Sequence, residues 1–67
     1  MADERLHRMI RLADLPQYCG LKRTQIEALM KVGRFPKPVY LSERRKCWLE
    51  SELVTWQQAR IAERDKR

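Results

Sequence analysis

Eight basic side chains fall between Lys22 and Lys46: Lys22, Arg23, Lys31, Arg34, Lys37, Arg44, Arg45 and Lys46. Only Glu27 and Glu43 oppose them, so this segment carries the chain's whole net charge of +6, and the remainder, with seven basic and seven acidic residues, is neutral. Ammonium and guanidinium groups at this density neutralise phosphates, and a guanidinium fork can also pair in two prongs with guanine. A basic surface confined to one stretch of a small domain is the electrostatic footprint of nucleic-acid binding.

Other chemistries find less support. His7 stands alone in a polar stretch, and zinc needs three or four ligands, so neither a metal nor another cofactor is expected. Cys19 and Cys47 are far apart and lack a C-x-x-C spacing, which suits small packing residues kept as thiols in a reducing compartment. Asp14, Glu50 and Glu52 suit helix starts better than a catalytic carboxylate pair. Sixty-seven residues make one domain with little room for a pocket, so the chain is expected not to be an enzyme. Apolar residues are 43% of it, including two Trp, two Tyr and one Phe, enough to anchor a core. No apolar run approaches the roughly 20 residues of a membrane span. The charged start Met1-Ala2-Asp3-Glu4-Arg5 predicts no signal peptide, no membrane partner and a cytoplasmic location.

The elements that must position the basic groups follow from local signals. Residues 1–8 read as a flexible polar leader, 9–62 as the folded domain and 63–67 as a solvated charged tail. Met9-Ile10-Arg11-Leu12 alternates and is either a strand or an extended lead-in. Asp14 can cap a short helix with Pro16 in its first turn, and Gly20 ends it. A second helix starts either at Lys22, with Leu21 and Ile26 as a hydrophobic staple, or at a capping box of Thr24 and Glu27. Ile26, Leu29, Met30 and Gly33 share one face, Gly33 stops the helix, and Pro36 and Pro38 prevent its resumption. Two helices joined by a tight glycine turn form a helix-turn-helix pattern. Val39-Tyr40-Leu41 and Lys46-Cys47-Trp48 are β-prone runs joined by Ser42-Glu43-Arg44-Arg45, a hairpin that would be a wing with Arg44 and Arg45 at its tip. A last helix runs from about Glu50 into the sixties, with Leu49, Leu53 and Trp56 closing the core. The fold class is mainly α with a small β-hairpin: a winged helix-turn-helix of three helices plus a wing.

A helix enters the major groove and reads base edges from its N-terminal residues. With Ile26, Leu29 and Met30 inward, the second helix shows Lys22, Arg23, Thr24, Gln25, Glu27, Ala28 and Lys31. Arg23 suits guanine, Gln25 adenine and Ala28 a thymine methyl; Glu27 either accepts from a cytosine amino group or holds Arg23 or Lys31 in position. Lys31, Arg34 and Lys37 suit phosphate contacts, and Arg44, Arg45 and Lys46 suit the adjacent backbone or the minor groove. Tyr40 either packs or bonds a phosphate. Both tryptophans are expected in the core rather than as stacking platforms.

The stretch from Leu12 to Trp56, about two-thirds of the chain, resembles the AlpA family of phage and prophage regulators, within the wider MerR-like and excisionase-like winged-helix group. The matching residues are Leu12, Gly20-Leu21, Arg23, Ile26, Leu29-Met30, Gly33-Arg34-Phe35-Pro36-Lys37-Pro38, Trp48, Ser51-Glu52-Leu53 and Trp56. The Gly33–Pro38 run with Trp48 ten residues beyond it is the most specific part. The chain departs from the family at Lys22, where a serine cap is usual, and at Glu27 and Ala28, where an aromatic or basic residue is frequent. These differences leave the fold alone and bear on the target sequence. The resemblance implies a bacterial, nucleoid-associated protein that binds double-stranded DNA and regulates phage or mobile-element genes, or else an excisionase that bends an attachment site and assists an integrase. A reading of another class is a module that binds a response regulator or recombinase. Val54 and Ile61, on the side of the last helix away from Leu53 and Trp56, are the expected contact for a partner or for another copy bound cooperatively on DNA.

Overall fold

The computed structural model describes residues 6–67; the first five residues of the expected leader lie outside the described residues. Strand β1 (Met9–Arg11) leads through a 3-10 turn (Leu12–Asp14) into α1 (Leu15–Cys19). Helix α2 (Arg23–Lys31), strands β2 (Val39–Tyr40) and β3 (Lys46–Leu49) and helix α3 (Glu50–Asp65) follow. The described residues form three α-helices on a three-stranded antiparallel sheet of order β1-β3-β2.

The Met9–Leu12 run is a strand through Arg11, and it adds a third member to the expected hairpin. Met9 faces Leu49, Ile10 faces Trp48 and Arg11 faces Cys47. The Glu50 N–H donates to the Arg8 carbonyl at 2.9 Å, which continues this pairing by one step. Period-two alternation sends Ile10 and Trp48 to the core side and Arg11 and Cys47 to the other face.

Asp14 does not cap α1. Its backbone is already helical (φ −94°, ψ −13°) and its side chain makes no capping bond, because the 3-10 turn feeds straight into the helix. Gly20 ends α1 in the left-handed region at φ 69°.

Helix α2 starts at Lys22, which is extended (φ −75°, ψ 158°). A lysine side chain has no acceptor, so the box is half made: the Lys22 N–H donates to Gln25 Oε1 at 2.9 Å. Thr24, the alternative cap, lies inside the helix. At the other end Gly33 adopts φ 73°. The Gly33 N–H bonds the Met30 carbonyl and the Arg34 N–H bonds the Leu29 carbonyl, at 3.1 and 2.9 Å, a Schellman closure.

Ile10, Leu15, Ile26, Phe35, Trp48 and Leu53 are buried together, with Leu12, Cys19, Leu21, Leu29, Met30 and Trp56 packed against them. The Gly33–Pro38 run is bracketed by the two indoles. Trp48 Nε1–H donates to the Pro36 carbonyl at 2.8 Å, and Trp56 Nε1–H donates to the Arg34 carbonyl at 2.9 Å. Between them the Phe35 ring meets Trp48 and Trp56 edge-on, with centroids 6.2 and 5.0 Å apart. The chain leaving α2 is therefore anchored through both carbonyls and one ring.

Gln57 Nε2 donates to the Tyr18 carbonyl at 2.8 Å and ties α3 to α1, and the Arg60 guanidinium lies 5.7 Å from the centroid of the Trp56 ring. Helix α3 continues through Asp65, so the expected charged tail is helical for its first three residues, all exposed. Both cysteines are free; burial pushes the half-buried Cys19 thiol up, away from thiolate chemistry. Among the described residues no helix is long and apolar enough to cross a membrane.

Candidate nucleic-acid interface

Helix α2 turns Ile26 fully inward and leaves Lys22, Arg23, Thr24, Gln25, Ala28 and Lys31 exposed, with Glu27 half-buried. Arg23 Nε lies 3.4 Å from Glu27 Oε1. An exposed pair of this kind contributes little stability; its consequence is to hold the guanidinium along the helix. Gln25 is also restrained, because its Oε1 accepts the Lys22 N–H. An adenine pairing by Gln25 must share that oxygen or release the cap.

Beyond the helix, Arg34 has its N–H bound to Leu29 and its carbonyl bound to Trp56, which leaves an exposed side chain on a fixed backbone. Lys37, between two prolines, is exposed. In the hairpin, Val39 faces Cys47 and Tyr40 faces Lys46. The Arg45 carbonyl accepts from Leu41 N–H at 2.8 Å and from Ser42 N–H at 3.4 Å. The loop is thus closed through its backbone, and among the described residues the exposed Arg44 and Arg45 side chains make no ion pair. Tyr40 is exposed on this hairpin.

A groove of about 420 Å³ separates the start of α2 from the hairpin, lined by Arg11, Leu12, Ala13, Arg23, Leu41, Arg44, Arg45, Lys46 and Cys47. It joins Arg23 to the three hairpin cations, which sequence alone assigned to separate elements. Lys31, Arg34 and Lys37 are not part of it. Arg11 is, and sequence reading passed over it; the only signal was its position outward of Ile10 in an alternating run. No carboxylate lines the groove among the described residues; Glu27 offsets Arg23 from outside it, and Arg11, Arg44, Arg45 and Lys46 leave the concavity an excess of positive charge that focuses potential toward an anion. Among the described residues no group of His, Cys, Asp and Glu could hold a metal ion.

A family model described as "Prophage CP4-57 regulatory protein (AlpA)" matches residues 8–61. The chain belongs to the AlpA family of prophage regulatory proteins. A relative from Enterobacteria phage P4, "Uncharacterized protein ORF88", is 39% identical over 57 residues, which cover 85% of this chain and 65% of the relative. The chain thus spans somewhat less than two-thirds of that relative's length. No solved structure matches. Every residue lining the groove lies within the stretch that matches AlpA.

The AlpA-matched stretch ends at Ile61, which with Val54 was expected on the face of α3 away from Leu53 and Trp56. The two flank that face instead: Val54 shares a hollow with Leu53, and Ile61 shares one with Trp56. The reason is that residues one apart are about 100° apart around a helix axis and residues five apart about 140°, so neither Val54 nor Ile61 is directly opposite its neighbour in the hollow. Val54 and Ile61 are still 43% and 49% exposed, and Tyr18 of α1, itself exposed, lines both hollows together with Gln57, so the three apolar side chains share one largely apolar strip.

Proposed function

We propose that this AlpA-family chain is a sequence-specific DNA-binding regulator of phage or mobile-element genes, acting by occupancy rather than catalysis. The observation that carries the reading is the groove that joins Arg23 of α2 to Arg44, Arg45 and Lys46 of the hairpin. It supports a winged helix-turn-helix docking in which α2 enters the major groove and the hairpin lies on the adjacent backbone or in the minor groove. Lys31, Arg34 and Lys37 then meet phosphates beyond the far end of α2 and set register. The family's description as a prophage regulatory protein favours gene regulation over excision. DNase footprinting on an attachment site tests that order: several adjacent copies with bent DNA would favour the excisionase instead.

The direct test is titration of mixed duplex fragments at low ionic strength. A complex at micromolar protein is expected, and its absence removes the proposal. Arg23→Ala is expected to cost about 1–3 kcal/mol at preferred sites and to relax sequence preference. A randomised-site selection that recovers the parental motif from this variant would take base reading away from α2.

The strip of Tyr18, Val54 and Ile61 supports a contact with a neighbouring copy on the same duplex. Val54→Lys with Ile61→Lys is expected to remove cooperativity on a two-site fragment while leaving the fold and single-site binding in place, because both side chains are already exposed and each such surface change shifts stability by no more than about 0.5 kcal/mol. Unchanged cooperativity in a two-site gel-shift isotherm would rule the strip out.

A further inference from the structure

Arg11 belongs to neither α2 nor the hairpin, yet it lines the groove between them. Two constraints put it there. Its pairing with Cys47 sets it on the sheet face opposite Ile10 and Trp48. It is also the extended residue (φ −80°, ψ 157°) from which the 3-10 turn starts, so its backbone is held by the sheet on one side and the turn on the other. The side chain itself is exposed. Leu12, Ala13, Leu41 and Cys47 supply the apolar part of the same lining.

An element in a major groove and another in the neighbouring minor groove must straddle the sugar-phosphate strand that divides those grooves. The space between α2 and the hairpin is where that strand has to pass. We infer that this groove seats a phosphodiester of duplex DNA, with Arg11 as its sheet-mounted contact beside Arg23 and the hairpin cations. The inference rests on the DNA-binding reading and adds to it a residue and a contact point. Arg44 and Arg45 sit in a loop of bends, and their side chains must be ordered when they bind. The Arg11 side chain must be ordered too, from a backbone that the sheet pairing already holds.

The test is Arg11→Gln, which keeps an exposed polar side chain on the strand and removes the charge. One lost phosphate contact lowers the log–log salt slope by about 0.9, which corresponds to roughly eightfold weaker binding at 0.1 M salt. The loss is expected to be equal for preferred and random duplexes, because phosphate contacts carry no sequence information. Arg11→Lys is expected to restore the slope. Arg8→Gln is expected to leave it unchanged, since Arg8 pairs with Glu50 at 3.6 Å outside the groove. In the unmodified protein, the Arg11 Nε–H resonance should shift on duplex addition and that of Arg8 should not, a readout that does not depend on any variant folding. If the parent binds duplex while Arg11→Gln keeps its affinity and slope, or the Arg11 resonance stays still, the contact is overturned and the DNA-binding reading stands. If the parent itself fails to bind, both fall.

Discussion

Trp48→Ala is expected to abolish the cooperative thermal transition of this protein. The indole is fully buried in the core. It donates to the Pro36 carbonyl and meets the Phe35 ring edge-on. Truncating a buried tryptophan to alanine costs about 3–5 kcal/mol. A single core in a domain below about 70 residues rarely supplies more than that same 3–5 kcal/mol. The substitution therefore removes most or all of the folding free energy. Trp48→Phe is milder, since it keeps a six-membered ring in the core but drops the pyrrole part of the indole and the bond to Pro36, a loss of at least about 1 kcal/mol. In a domain of this size that should lower the midpoint by at least roughly 4–8 °C. Circular dichroism melts decide the matter: a cooperative Trp48→Ala transition close to the parent's would mean that the core does not depend on this anchor.

Arg44→Ala with Arg45→Ala is expected to weaken binding to every duplex and to flatten its salt dependence. Two lost phosphate contacts lower the log–log slope by about 1.8, or roughly sixtyfold in affinity at 0.1 M salt. The fold should not change, because the loop closes through the Arg45 carbonyl with Leu41 and Ser42 and an alanine retains that carbonyl. The base preference read by α2 should also survive, which distinguishes this pair from Arg23→Ala. Fluorescence anisotropy at several salt concentrations reads both quantities. A slope equal to the parent's would place the hairpin away from the duplex.

The end of α2 was legible because its signals are local, whereas its start stayed open between Lys22 and Thr24 until the structure set it at Lys22. Gly33 with the two prolines stops the helix, and Gly33 does adopt the left-handed conformation that favours glycine. Leu21 and Ile26 do join one core across the helix start. The capping of α1 was misread for a reason equally local: a 3-10 turn ahead of Leu15 leaves Asp14 helical, and nothing in Leu12-Ala13-Asp14 announces that turn. Glu27 had two roles open in the sequence, and the distance to Arg23 favours the positioning one. The Gly33–Pro38 run stood out as a motif without a stated cause. Its cause is the pair of indole N–H groups from Trp48 and Trp56, which belong to later elements.

Sequence alone determined where the charge is concentrated, which residues face inward on α2 and that a hairpin follows two prolines. These depend on composition, on a period of 3.6 or 2 and on the dihedral preferences of glycine and proline, all of which act over a few residues. Tertiary structure alone decided that β1 completes the sheet, that two tryptophans hold the chain leaving α2, and that Arg11 joins the cations of α2 and the hairpin. Arg11 and Cys47 are 36 positions apart. Their pairing is selected by the summed burial of Ile10, Trp48 and the core around them, a balance of many weak contacts that no local stretch of sequence contains.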